Sequence, residues 1–267
     1  MQDEEYFNYD DPDGPPPKEP KPPKPPRPPK PKKVRPIRTR KKRGVVKTLF
    51  LLAFTLLLLP YFMVLLYSFI PPISMPVIGS ALSFEETHWK WRSIDDISPS
   101  LPRSIISAED GNFCEHNGVD WKALEKSYKR YEKRGKMKHG ASTINMQVAK
   151  NLFYWPLPTI LRKPLEIPMA MWIDTIWSKQ RTIEVYMNIA QFGKGVYGAE
   201  AAAEYYFDKS ADDLNSGESA RLTSILPSPV KRNAAKPSGY VKKYSGSIKA
   251  RAARTGGKYI ACIRDEE

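Results

Sequence analysis

The longest unbroken apolar stretch of the chain is TLFLLAFTLLLLPYFMVLLYSFI, Thr48 to Ile70, 23 residues without a charge. At about 1.5 Å per residue, a helix of this length crosses a hydrocarbon core of about 30 Å, so a transmembrane helix is predicted. The stretch is longer, and starts further from the N-terminus, than the apolar region of a signal peptide. Pro60 in mid-span is expected to free a backbone carbonyl and kink the helix. After about Ile78 the pattern changes to three- and four-residue spacing, the signature of amphipathic helices. DWKALEKSYKRYEKRG begins at Asp120 as N-cap, ends at Gly135 and carries Trp121, Leu124, Tyr128 and Tyr131 at that spacing. STINMQVAKNLF offers Ser142 as N-cap with Ile144, Val148 and Leu152 on one face, and KQRTIEVYMNIAQFG carries Ile183, Tyr186, Ile189 and Ala190. YGAEAAAEYYF and SGESARLTSIL read as further short helices. Strand signals are few, and the expected fold class is all-α.

Two segments are less regular. RKPLEIPMAMWIDTIW, from Arg162, contains Pro164 and Pro168, which are expected to disturb a helix unless it starts at about Pro164. PPISMPVIGSALSFEETHWKW, which follows the apolar span, reads either as a plain linker or as a surface that dips into lipid headgroups. The predicted organisation is a tail over 1–47, a transmembrane helix over 48–70, a membrane-proximal linker over 71–100 and a folded domain over 101–267.

Composition explains the tail. Residues 12–36 hold 13 of the 26 prolines, among lysines and arginines, with too few apolar side chains to collapse; a disordered, extended, solvated segment is expected. Residues 1–17 carry six acids and no base, whereas Lys18 to Lys47 carry 14 Lys/Arg against the single acid Glu19. A basic tail can signal nucleic acid, but this one runs directly into the apolar span, so its expected partner is anionic lipid and no nucleic acid is implied. RTRKKR lies just before the span with no comparable cluster after it, which places the N-terminus in the cytoplasm and the rest outside. Cys114 and Cys262 are the only cysteines; nothing in the sequence brings them together, and no disulfide is inferred. His88, His116 and His139 fall in no metal-ligand spacing.

Four polar clusters interrupt the helical pattern: EDGNFCEH at Glu109, HGASTINMQVAKN at His139, RKPLE at Arg162 and KQRTIEVYMN at Lys179. Singly, each has an ordinary reading as a surface turn, a helix cap or a solvated ion-paired face. Together and in this order they resemble the peptidoglycan glycosyltransferase family, lysozyme-like enzymes that polymerise lipid II, and in particular its monofunctional membrane-anchored branch. Glu109, Asp110, Phe113, His116 and Gly118 match the first motif, and Gly140, Ser142, Thr143, Ile144 and Gln147, with Lys150 beyond, the second. Arg162, Lys163 and Glu166 match the third; Lys179, Glu184, Tyr186 and Asn188 match the fourth. The likeness covers about Leu101 to Tyr240. Met146 departs from it, standing where a first glutamine is usual, so one polar contact to substrate is expected to be missing.

The resemblance implies Glu109 as general base and Glu166 as a second carboxylate that orients groups or a metal. It further implies substrate contacts from Asp110, Phe113, His116, Gly140, Ser142, Thr143, Gln147, Lys150, Arg162, Lys163, Glu184, Tyr186 and Asn188. A divalent cation, Mg or Mn, is expected on the same ground. The chemistry is coherent: a base must deprotonate the acceptor hydroxyl, and positive charge must receive the leaving diphosphate, here from Lys150, Arg162 and Lys163. The implied partners are lipid II, the growing glycan strand, membrane lipids, and other cell-wall synthases or division proteins. The implied location is the bacterial inner membrane, with the catalytic domain periplasmic or extracellular. No transpeptidase domain follows within these 267 residues, so cross-linking of peptides is not expected. Two other functions are compatible with the fold: a lysozyme-like hydrolase of finished glycan, and a non-catalytic scaffold of the wall machinery.

Overall fold

A computed structural model describes residues 40–134, 142–254 and 261–263. The tail before residue 40, His139 and Gly140 therefore lie outside the described residues. Helix α1, Arg40–Leu66, contains the apolar run and continues through Pro60; it ends four residues before the predicted boundary at Ile70. Its candidate membrane span is Gly44–Leu66, with exposed Leu and Phe side chains along most of its length. The exposure ceases at its C-terminal end, where Val64 is fully buried and Tyr61 and Tyr67 pack against the domain core. There the Trp172 and Trp177 indoles donate to the carbonyls of Tyr61 and Val64 at 3.0 and 2.8 Å, and Arg181 donates to those of Tyr67 and Ile70. The bonds to Val64, Tyr67 and Ile70 serve carbonyls at the helix end and in the chain after it, and the Trp172 indole adds a further donor to the Tyr61 carbonyl inside the helix.

The stretch expected to be a linker is structured. Helix α2, Met75–Leu82, starts at Ser74 as N-cap, with Pro76 in its first turn. Strand β1, His88–Trp89, pairs in parallel with β3, Val196–Tyr197, which also pairs antiparallel with β2, Gln191–Gly193. The rest is helical: α3 Ser100–Glu109, α4 Trp121–Arg134, α5 Ile144–Ala149, α6 Thr159–Ile176, α7 Lys179–Ile189, α8 Ala199–Phe207, α9 Ser216–Ile225 and α10 Gly239–Arg254. The all-α expectation thus holds, with one small sheet added.

The predicted faces of α5 and α7 are buried: Ile144, Val148, Leu152, Ile183, Tyr186, Ile189 and Ala190 all lie in the core. Helix α4 differs. Trp121 and Tyr128 are exposed, while Leu124 packs against a small cluster of Val119, Met146 and Ala170 and Ser127 is buried. Helix α6 also departs from expectation, starting at Thr159 and running through both Pro164 and Pro168. An interior proline costs a helix about 3 kcal/mol, and buried Glu166, Met169, Ala170 and Ile173 supply the tertiary packing that offsets it.

An ionic cluster lies beside the sheet. Glu200, 1% exposed, accepts from Arg92 at 2.6 Å, Lys90 at 3.2 Å and the Ala211 amide at 2.9 Å. Burial by itself would raise this carboxyl, but Arg92, the Ala211 N–H and Lys90 outweigh it and hold the pKa down to about 2. A depressed folded-state pKa means that ionised Glu200 contributes stability above its ordinary pKa of 4.5 and loses that contribution as pH falls toward 2. Melting temperatures followed by circular dichroism are therefore expected to drop across that window in the wild type, and to drop less steeply in Glu200→Gln. Equal slopes would remove Glu200 as the titrating group.

Candidate active site

Glu109 is the last residue of α3, and Asp110 is its C-cap. Glu109 is half-buried and accepts from Gln147 Nε2 at 3.0 Å. Gln147 Oε1 in turn accepts from the Tyr186 hydroxyl at 3.2 Å. Burial, then the charges of Glu109 and Asp110, push the Tyr186 hydroxyl well above the ordinary tyrosine range, so it stays a proton donor to the amide. This chain fixes which end of the Gln147 amide faces the carboxylate.

Asp110 points the other way. Its carboxylate accepts from His116 Nε2 at 2.9 and 3.0 Å and from the Ile144 amide at 2.9 Å, the last being one of the amides at the start of α5. It ties the turn of residues 111–118 to α5. Gly118 closes that turn at φ 78°, where a Cβ would stand 2.4 Å from the Ala170 carbonyl oxygen; only glycine fits. Thr143, one residue after the predicted Ser142, is the N-cap of α5: its hydroxyl accepts from the Met146 amide and donates to the Gly118 carbonyl at 2.6 Å. Ser142 instead accepts from Lys163 Nζ at 2.6 Å.

One turn beyond Gln147, α5 widens into a π turn, Lys150–Tyr154, closed by the Trp155 amide on the Lys150 carbonyl. Such turns recur at functional sites. Across from it on α6, Glu166 is 1% exposed and is paired by Arg162 and by Lys163, the latter at 2.8 Å. The third motif is therefore a part-buried ion-pair cluster around a buried carboxylate and not a solvated helix face. Lys150 lies in the field of both carboxylates, but burial and then the neighbouring Arg162 hold its pKa below the ordinary lysine value. Three cations and one buried carboxylate thus leave a net positive cradle, joined to Glu109 through the Gln147–Lys150 turn.

Several residues that the resemblance assigns to substrate contact are engaged within the protein. Phe113 is fully buried beneath Lys179 Nζ, 4.7 Å from its ring centroid. Asn188, also fully buried, accepts from the Arg92 amide and donates to the Arg92 and Glu184 carbonyls. Glu184 pairs with Arg181 and accepts from the Ile94 amide. Asn188 and Glu184 are consumed in holding Arg92 and Ile94, and Phe113 in the core, so we assign them, with Tyr186, Thr143, His116 and Asp110, to the frame of the site. Met146 is fully buried in the α4 contact, so its departure from glutamine alters the core and removes no contact within the cradle.

Sequence reasoning missed Asp174 and Asn145. Asp174 accepts from Lys179 at 2.7 Å and from Asn145 Nδ2 at 3.4 Å, while Lys179 also donates to the His116 carbonyl at 2.6 Å. The signal was available: Asp174 is the sole charge in IPMAMWIDTIW, and a lone acid in an apolar run is buried with a partner. Cys114 and Cys262, 148 residues apart, form a disulfide that the sequence did not suggest.

The expected divalent cation would have to take most of its ligands from substrate phosphate oxygens. Among the described residues no group of three His, Cys, Asp or Glu converges on a point. Glu166 is neutralised by two cations, and Asp110 is engaged by His116 and Ile144.

The sequence profile of the Transglycosylase family matches residues 77–253, well over half of the chain and beginning inside the stretch read as linker. The chain belongs to this transglycosylase family. It is 46% identical over 208 residues to a biosynthetic peptidoglycan transglycosylase of Caulobacter vibrioides, covering 77% of this chain and 90% of that protein. Proteins of the same name from Nitrobacter winogradskyi and Agrobacterium fabrum are 44% and 40% identical, with 79% and 84% of this chain and 93% and 99% of theirs covered. The transglycosylase match embraces the whole α3 to α7 site.

Proposed function

We propose that this transglycosylase polymerises lipid II into glycan strands, with lipid II as acceptor and the undecaprenyl-pyrophosphate-linked strand as donor. The observation that carries the reading is one helical turn: Gln147 holds Glu109, and Lys150, three residues on, opens the cationic cradle with Arg162 and Lys163. Glu109 accepts the proton of the acceptor hydroxyl as its oxygen attacks the anomeric carbon from the face opposite the diphosphate, inverting that centre. The diphosphate leaves into the cradle and needs no general acid, because its charge is met by fixed cations. Glu166 holds the cradle together.

A hydrolase of finished glycan needs an acid for a sugar leaving group and gains nothing from three cations. Incubating the purified protein with labelled lipid II, and separately with mature peptidoglycan, separates the readings. Polymer is expected from the first and no soluble fragments from the second; fragments alone would establish the hydrolase, and neither product the scaffold.

The anchor places the enzyme where a lipid-linked substrate is concentrated. Exposed Phe69, Ile73, Leu82, Phe84, Ile160 and Leu161 near the anchor and on the first turn of α6 supply apolar surface for membrane lipids. We place the N-terminus in the cytoplasm on the strength of RTRKKR before the span, and the Cys114–Cys262 disulfide favours an oxidising compartment for the domain. A reporter active only outside the cytoplasm is expected to give signal when fused after Glu267 and none when fused after Gly14; the reverse pattern would sink the orientation.

A further inference from the structure

We propose that the Cys114–Cys262 disulfide is a redox-sensitive clamp on the catalytic turn, closed by a dithiol–disulfide oxidoreductase and opened by dithiol reductants. Cys114 is in the middle of the turn of residues 111–118, which joins Glu109 and Asp110 to His116. The turn is anchored from within by buried Phe113 and by the Asp110–His116 pair. Asn112, Glu115 and Asn117 of the turn are exposed, and Cys262 is bonded to Cys114 between the first two. Cys262 packs against the main core. Its neighbour Ile263 is 2% exposed within the main core, and the preceding helix α10 packs on α3 and α9. Both cysteines are only part-buried, so a thiol or thiolate can attack the bond. The bond therefore braces the end of α3 from outside, through a covalent link that either redox state of the compartment can add or remove.

The balance is simple. Closing the clamp converts two thiols to one S–S bond, with loss of two protons and two electrons. The electrons reduce the oxidoreductase disulfide to its dithiol through a mixed disulfide. Opening reverses this with a dithiol such as dithiothreitol. With the clamp open, the outer arc of the turn is free to draw away, the Asp110–His116 pair loosens, and Glu109 loses its aim. The cradle on α5 and α6 is untouched, so turnover falls while substrate affinity does not. The expected loss in kcat is about tenfold, smaller than the about 10²-fold cost of a 1 Å misplacement because buried Phe113 still anchors the turn.

The activity readout rests on the polymerase reading above, so a second readout is independent of it. The full-length protein in detergent is compared oxidised, reduced with dithiothreitol, and as Cys262→Ser, with thiols counted by alkylation and mass. Oxidised protein is expected to show no free thiol. Reduction is expected to lower kcat for lipid II about tenfold with KM within about twofold, and re-oxidation to restore it. Cys262→Ser is expected to match the reduced enzyme and ignore dithiothreitol. Hydrogen exchange, measured whether or not the protein polymerises, is expected to rise in residues 109–118 on reduction and to stay unchanged in α5 and α6. An unchanged exchange pattern overturns the clamp. So does a reduced enzyme with wild-type kcat, or a loss that merely parallels loss of helical circular dichroism, which would make the bond a plain stabiliser. An oxidised protein that does not polymerise lipid II, yet shows the exchange change, refutes the polymerase reading and leaves the clamp standing.

Discussion

Glu109→Gln is expected to polymerise lipid II about 10²- to 10⁴-fold more slowly than the wild type, the range for loss of a general base. The substitution keeps the side chain's size, and its amide can still bond to Gln147, so α3 and the turn after it have no reason to rearrange. What it removes is the ability to hold the acceptor's proton at neutral pH. Affinity for a lipid-pyrophosphate donor analogue is expected to survive, since Lys150, Arg162 and Lys163 are left intact on other elements. Labelled lipid II turnover and analogue binding, measured on the same preparation, check both halves. A variant that turns over at near the wild-type rate with unchanged circular dichroism would make the Glu109–Asp110 pair only a turn.

The spacing of apolar residues made the anchor and the inner faces of α5 and α7 legible, because burial along one face is what that spacing encodes. Four ordered motifs made Glu109, Gln147 and the cationic cradle legible. What they did not separate is contact from support. Phe113 and Asn188 occupy motif positions as surely as Lys163 does, yet they are buried and engaged within the protein; a motif records that a residue is required without recording which way it faces. Met146 shows the converse, a departure from the motif on the core side of α5. Helix α6 was misjudged because propensity speaks for an isolated helix, while here buried side chains and the Glu166 ion pairs decide. The disulfide was illegible for a different reason: a separation of 148 residues carries no local signal, and only the packing of the C-terminal residues near the α3 turn brings the sulfurs together.

Glu166→Gln is expected to fail differently from Glu109→Gln, in binding and stability as well as in rate. In the wild type the buried carboxylate lies between Arg162 and Lys163, and Lys150 already lies low in pKa through burial and their repulsion. Neutralising Glu166 leaves three neighbouring cations with only the more distant field of Glu109 on Lys150 against them. Breaking a buried pair from one side typically costs about 3 to 5 kcal/mol. Arg162 and Lys163 keep some exposure to water, so the low end, about 3 kcal/mol, is expected as a fall in denaturation midpoint. The freed cations separate, and the cradle no longer presents its charge in one place; turnover should fall by about 10²- to 10³-fold, the scale for losing one preorganised electrostatic contact. Donor-analogue affinity should change with it. Repulsion should also deprotonate Lys150 more readily, so the residual activity of the variant is expected to fall away at a lower alkaline pH than that of the wild type. Denaturant melts, analogue binding and the alkaline limb of the pH–rate profile test these three consequences separately. A Glu166→Gln variant with wild-type stability and analogue affinity but lost turnover would show that Glu166 acts on the reacting atoms themselves, and would remove it from its place as the counter-charge that assembles the cradle.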